Sequence, residues 1–160
     1  MIPRHQWTHD GGEVLILKCM SSAGVTYGGF RWPLEVGAVV EAPDWDAVPK
    51  CGSGLHGWAW AFALGDGRDP DYAATWLVLG ARPEDVVDLG GKVKARRVTV
   101  RYVGSYHAAH AMVRDGAMAW IQQAATSGAG STSATSGAGS TSATSGDRST
   151  SATSGDWSTS

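Results

Sequence analysis

Long apolar runs are missing from this chain. No stretch approaches the roughly 20 residues of a membrane-spanning helix. The opening residues, Met1-Ile2-Pro3-Arg4-His5-Gln6-Trp7, lack the apolar core of a Sec signal. Cysteine is scarce: Cys19 and Cys51 are the only two in 160 residues, too few for a disulfide framework. The expectation is a cytoplasmic protein with reduced thiols, with a Cys19–Cys51 bridge left open. Excess charge is also lacking. Thirteen Lys and Arg stand against 15 Asp and Glu, a formal net charge of -2, which by itself directs the chain to no nucleic acid, membrane or acidic partner.

What is present divides into two unlike segments. Residues 1–124 hold seven of the eight tryptophans, every lysine and both cysteines. That length is enough for one domain with a real core. Residues 125–160 are almost entirely Ala, Thr, Ser and Gly.

Within the first segment, residues 13–20 read as a strand buried on both faces. Residues 25–32 read as a second strand, bulged at Gly28-Gly29. Residues 37–42 and 74–79 read as further strands, and 84–89 as another short apolar piece. Residues 58–64 fit either a strand or the first turns of a short helix. Along 92–103 the apolar alternation slips by one residue near Arg96-Arg97, which predicts a bulge there or a break between two strands. Ser105 is placed to cap a helix over 107–123. Its apolar face is Ala109, Met112, Val113, Ala117, Trp120 and Ile121. Gly116 weakens the middle by about 1 kcal/mol relative to Ala and is a point at which the helix can split. The fold class expected is a small, mostly antiparallel α+β domain with one or two C-terminal helices.

From Ala125 the unit Ala-Thr-Ser-Gly-x-x-Ser-Thr-Ser occurs four times without a slip, starting at Ala125, Ala134, Ala143 and Ala152. The variable pairs are Ala129-Gly130, Ala138-Gly139, Asp147-Arg148 and Asp156-Trp157. A nine-residue strand-plus-turn unit fits a β-roll or solenoid. The same composition fits a disordered Ser/Thr/Gly linker. Both readings stay open.

The stretch that concentrates reactive groups is Cys51-Gly52-Ser53-Gly54-Leu55-His56-Gly57-Trp58. Cys51 and His56 suit a nucleophile and base, or two metal ligands completed by Cys19, His107 or His110. Against this, three glycines suit a tight turn around a hydrogen-bonded histidine, with no chemistry attached. A transferase reading sets His56 with Tyr72 or Tyr102 and Glu84 around NAD. Lys92, Lys94, Arg96, Arg97 and Arg101 form a basic stretch able to contact phosphate, although the near-neutral whole and the lack of a recognition motif favour a solvated strand face.

The Cys-x-x-Gly-Leu-His core at 51–56, followed by nine-residue repeats ending in Gly-Asp-Arg-Ser (146–149) and Gly-Asp-Trp-Ser (155–158), resembles an uncharacterised family of bacterial and phage proteins. In that family a small N-terminal domain with a Cys-x-x-Gly-Leu/Phe-His motif precedes Ala/Thr/Ser/Gly-Asp-Arg repeats. Tyr27-Gly28-Gly29-Phe30-Arg31-Trp32 and Gly91-Lys92-Val93-Lys94-Ala95 are similar to segments of it. The resemblance implies an ordered repeat and no activity. The expectation is therefore a structural or interaction protein, a head domain (1–124) capping a repeat spacer (125–160). It would associate with itself through the repeats or with another protein, without a cofactor. The alternatives are the His56-centred enzyme and a surface- or nucleic-acid-binding module.

Overall fold

The branched run at 13–20 becomes the central strand of a sheet. The computed structural model describes residues 1–20, 24–26, 29–67 and 69–133, the last six by backbone alone. Its strands are β1 (Val14–Cys19), β2 (Val39–Glu41), β3 (Leu55–Ala59), β4 (Trp76–Ala81), β5 (Val86–Asp88), β6 (Val93–Ala95) and β7 (Arg97–Gly104). They pair in the order β2-β7-β4-β1-β3-β6-β5, and every pairing is antiparallel. One helix follows, α1 (Tyr106–Ser133). The protein is an α+β fold with a seven-stranded antiparallel sheet and a C-terminal helix. The chain divides between Trp120 and Ile121 into two units, and the sites below all lie in the first.

All six residues of β1 and all six of β4 are buried. Two adjacent strands without an exposed position require cover on both faces of the sheet. One cover is α1, whose Ala109 and Val113 are fully buried. Ser105 caps it as expected, accepting from the Ala108 N–H at 3.4 Å. Gly116 does not split the helix. It marks where α1 crosses the sheet most closely, since a Cβ there would lie 3.1–3.2 Å from Trp60, His9 and Leu15. Trp120 stacks on Trp7, ring centroids 4.6 Å apart and nearly parallel. Ile121, expected on the buried face, is exposed. The helix runs on to Ser133 and takes in the first repeat unit, 125–133. An established helix propagates through weak formers more easily than a new element nucleates. The other three repeat units lie outside the described residues.

Two local expectations are corrected, and the alternatives at Arg96 are resolved. Residues 25–32 do not form a bulged strand. Val25 bridges Arg31, and the Thr26 N–H donates to the Phe30 carbonyl at 2.9 Å, so the segment folds back on itself. The slip near Arg96 is a break between β6 and β7. The sheet's bulge falls five residues later, where Val78 pairs with Tyr102 and Leu79 with Val100, leaving Arg101 unopposed. After Ala59 the chain enters neither more strand nor right-handed helix. Trp60, Ala61 and Ala63 have φ of 57°, 60° and 54°, a left-handed conformation costing about 1–2 kcal/mol per non-glycine residue. The cost is offset by fixing Trp60, which is buried, donates through Nε1 to the Arg4 carbonyl at 3.0 Å and lies against Trp7.

Candidate functional site

The glycine-histidine stretch forms a turn leading into β3. Gly52 and Gly54 have φ of 130° and 105°, where a side chain is strained. Gly57 serves packing instead: a Cβ there would meet the Ile16 side chain and sit 2.8 Å from the Leu17 carbonyl oxygen, so β3 lies tight against β1. On β6, paired to β3, Lys94 is 1% exposed. Its ammonium donates to the Lys50 carbonyl at 3.1 Å and lies 5.7 Å from the Trp45 ring centroid. From β1, Lys18 donates to the His56 carbonyl at 2.8 Å and lies 4.9 Å from the Trp32 ring centroid. Two inward-pointing lysines thus hold the two ends of the turn by backbone carbonyls, each against an indole face.

His56 is part-buried, and its Nε2 atom is fully buried and has no hydrogen-bond partner among the described residues. Burial, then the charges of Lys92, Lys18 and Lys94, push its pKa down to about 4, with Asp44 opposing. The imidazole is neutral at pH 7 and a weak base. No hydrogen bond or ion pair joins it to Cys51 among the described residues; the Cys51 thiol is exposed, and the Cys19 thiol is buried and donates to the Asp71 carbonyl at 3.6 Å. The histidine expected to be hydrogen-bonded in this turn is anchored through its carbonyl, while Nε2 goes unpaired.

The other candidates are dispersed. Tyr72 stacks on Trp76 at 6.2 Å and meets Tyr106 edge-on at 4.7 Å. Glu84 is exposed; its own backbone amide and then Arg82, paired with it at 3.2 Å, lower its pKa. Neither touches His56, and no contact joins Tyr102 to it. His107 and His110 lie against the Tyr106 ring. The described residues hold no group of three His, Cys, Asp or Glu side chains spaced for a metal ion. The basic stretch is divided by its own alternation: Lys94 points into the core, Arg97 pairs with Glu41 at 3.5 Å and Arg101 with Glu13 at 2.6 Å. Among the described residues Lys92, Lys94 and Arg96 have no anionic side-chain partner, and Lys94 is buried, so two of the five are left to meet a phosphate, too few for a track.

The chain matches no family model, no curated protein and no solved structure. Function therefore has to be argued from the geometry alone.

That geometry includes a cleft of about 680 Å³ formed by the His9–Glu13 hairpin, the end of β4, β7 and α1. On its floor the Glu13 carboxylate lies across Gly80, where any Cβ would collide with it. Arg101 fixes it at Oε2, by a hydrogen bond from Nε at 2.9 Å and an ion-pair contact from Nη2 at 2.6 Å. The bulge in β7 gives Arg101 this aim, because an unopposed residue leaves the regular alternation of the strand. In sequence, Glu13 and Arg101 are 88 residues apart, and neither Glu13 nor Gly80 stands in a motif. The only signal was Arg101 itself, within the basic stretch.

Proposed function

We propose that this chain is an interaction protein: a head domain that binds a second copy of itself through the aromatic surface around Tyr72, with the Ser/Thr/Ala/Gly repeats as spacer and further assembly segment. The observation that carries it is Tyr72, 58% exposed yet held in place by Trp76 and Tyr106. An exposed ring already fixed in one orientation loses little conformational entropy when a partner covers it. Tyrosine is among the residues that dominate interface energies. Tyr106, His107 and His110 extend the surface with polar-tipped rings. Burial and the neighbouring Tyr72 hold the Tyr106 phenol above its ordinary pKa, so it stays neutral and able to donate. A two-fold interface brings the same patch of both copies together, and aromatic rings pack on one another edge-on or offset.

The test is the molar mass in solution, by light scattering, of the full chain, the chain ending at Ser133, and Tyr72→Ala in each. The full chain is expected to associate, the shortened chain to associate more weakly, and Tyr72→Ala to weaken both about tenfold or more. A monomeric full chain at all accessible concentrations, or association indifferent to Tyr72, would overturn the reading.

A further inference from the structure

We infer that the Glu13 cleft is a binding site for a small organic cation, an alkylamine or alkylguanidine with a short apolar stem. It lies apart from the Tyr72 surface, so it stands or falls separately from self-association.

Size comes first. A space of about 680 Å³ is in the range of small-molecule sites. Leu15 and Met112 supply apolar lining for a stem. Glu13 supplies a fixed acceptor, because Arg101 holds Oε2 and no hydrogen bond to Oε1 is made among the described residues. An acceptor locked in place from behind loses no rotamer freedom when a donor arrives.

Charge decides the class. The three arginines lining the cleft are each engaged: Arg82 with Glu84, Arg97 with Glu41, Arg101 with Glu13. Asp10 and Asp85 also line it and form no ion pair among the described residues. Three guanidinium groups and three carboxylates line the cleft, and Glu84 and Glu41, outside the lining, pair two of the guanidinium groups, so the charged groups left unpaired in the cleft among the described residues are carboxylates. An anionic ligand would have to displace a carboxylate from an arginine; a cation meets free acceptors. A bare metal ion is the poorer fit, since no three ligating side chains converge among the described residues.

The experiment uses the full chain in about 0.15 M NaCl, where weak surface attraction is screened. The probes are n-butylguanidinium, n-butylammonium and, as the matched anion, butyrate. Binding is read by calorimetry and by amide shifts of Gly11, Gly80 and Thr99 in two-dimensional NMR. The two cations are expected to saturate with Kd of about 1 mM or tighter, butyrate not to saturate, Glu13→Gln to weaken the cations at least about tenfold and Asp85→Asn about two- to fivefold. Asp85→Asn leaves the floor intact, so it keeps the test decisive if Glu13→Gln fails to fold. Tighter binding of butyrate than of the cations would overturn the proposal, as would cation binding indifferent to both substitutions, or none saturable at all. A Gly-Arg-Gly peptide binding much more tightly than butylguanidinium would also overturn it, by assigning the cleft to an arginine of a protein partner.

Discussion

Lys18 reaches from β1 to His56 on β3 and donates a hydrogen bond from Nζ to its carbonyl oxygen, at 2.8 Å. The contact ties the histidine's backbone down while placing a positive charge near its ring. Together with burial, Lys92 and Lys94, it makes the imidazole hard to protonate.

That depression gives stability a pH dependence. Folded, His56 titrates near 4; unfolded, near its ordinary 6.5. Between these values the unfolded chain binds more protons, so the His56 contribution is fully present above about pH 6.5 and is lost as pH falls toward 4. The whole displacement corresponds to about 3 kcal/mol, which solvent screening of a part-buried ring reduces to roughly 1–2 kcal/mol. Urea unfolding at pH 7 and pH 4.5 measures it. Wild type is expected to lose that much more than His56→Asn over the interval, and equal losses would remove the assignment.

Lys94 acts as a structural clasp and as a source of field. Lys94→Met keeps the packing on Trp45 and removes a buried charge, which offsets much of the loss of the donor to the Lys50 carbonyl, so stability is expected to stay within about 1 kcal/mol of wild type. Lys94→Ala opens a cavity and strands the Lys50 carbonyl, for a loss of about 2–4 kcal/mol. In the Met variant the His56 pKa rises above 4, followed by the ring-proton shifts in an NMR titration. Equal damage from Met and Ala, or an unmoved titration, would argue against both roles.

The glycines of the turn have separable roles. Gly57→Ala drives a methyl group into Ile16 and the Leu17 backbone and is expected to cost roughly 2–3 kcal/mol. Gly52→Ala meets no atom within 4 Å and costs only left-handed strain, about 1–2 kcal/mol. Urea midpoints rank the two, and the reverse order would show that β3 relaxes away from β1.

The sequence by itself determined the elements whose burial is written locally. The uninterrupted branched run at 13–20 had to be a covered central strand, the spacing of Ala109, Met112 and Val113 had to be a helix face, and Ser105 had to cap it. The slip at Arg96 marked a strand boundary, because side chains alternate with period two regardless of context. The fold class followed from the order of these pieces. The left-handed turn at Trp60 was not legible, since its strain is repaid by Arg4 and Trp7, more than fifty residues away. Nor was the exposure of Ile121, which fits the helical stripe but falls beyond the part of the helix that meets the sheet.

The sites were decided almost wholly by tertiary structure. Cys51, His56, Tyr72 and Glu84 attracted attention because their side chains are reactive, but reactivity says nothing about proximity, and the fold keeps them apart. Glu13 and Gly80 were silent for the opposite reason, and Arg101 stood out only as one member of a basic stretch. Each is ordinary in its own neighbourhood, and only the pairing of β1, β4 and β7, with one bulge to turn Arg101, brings a carboxylate, its clamp and the space beneath it into one cleft.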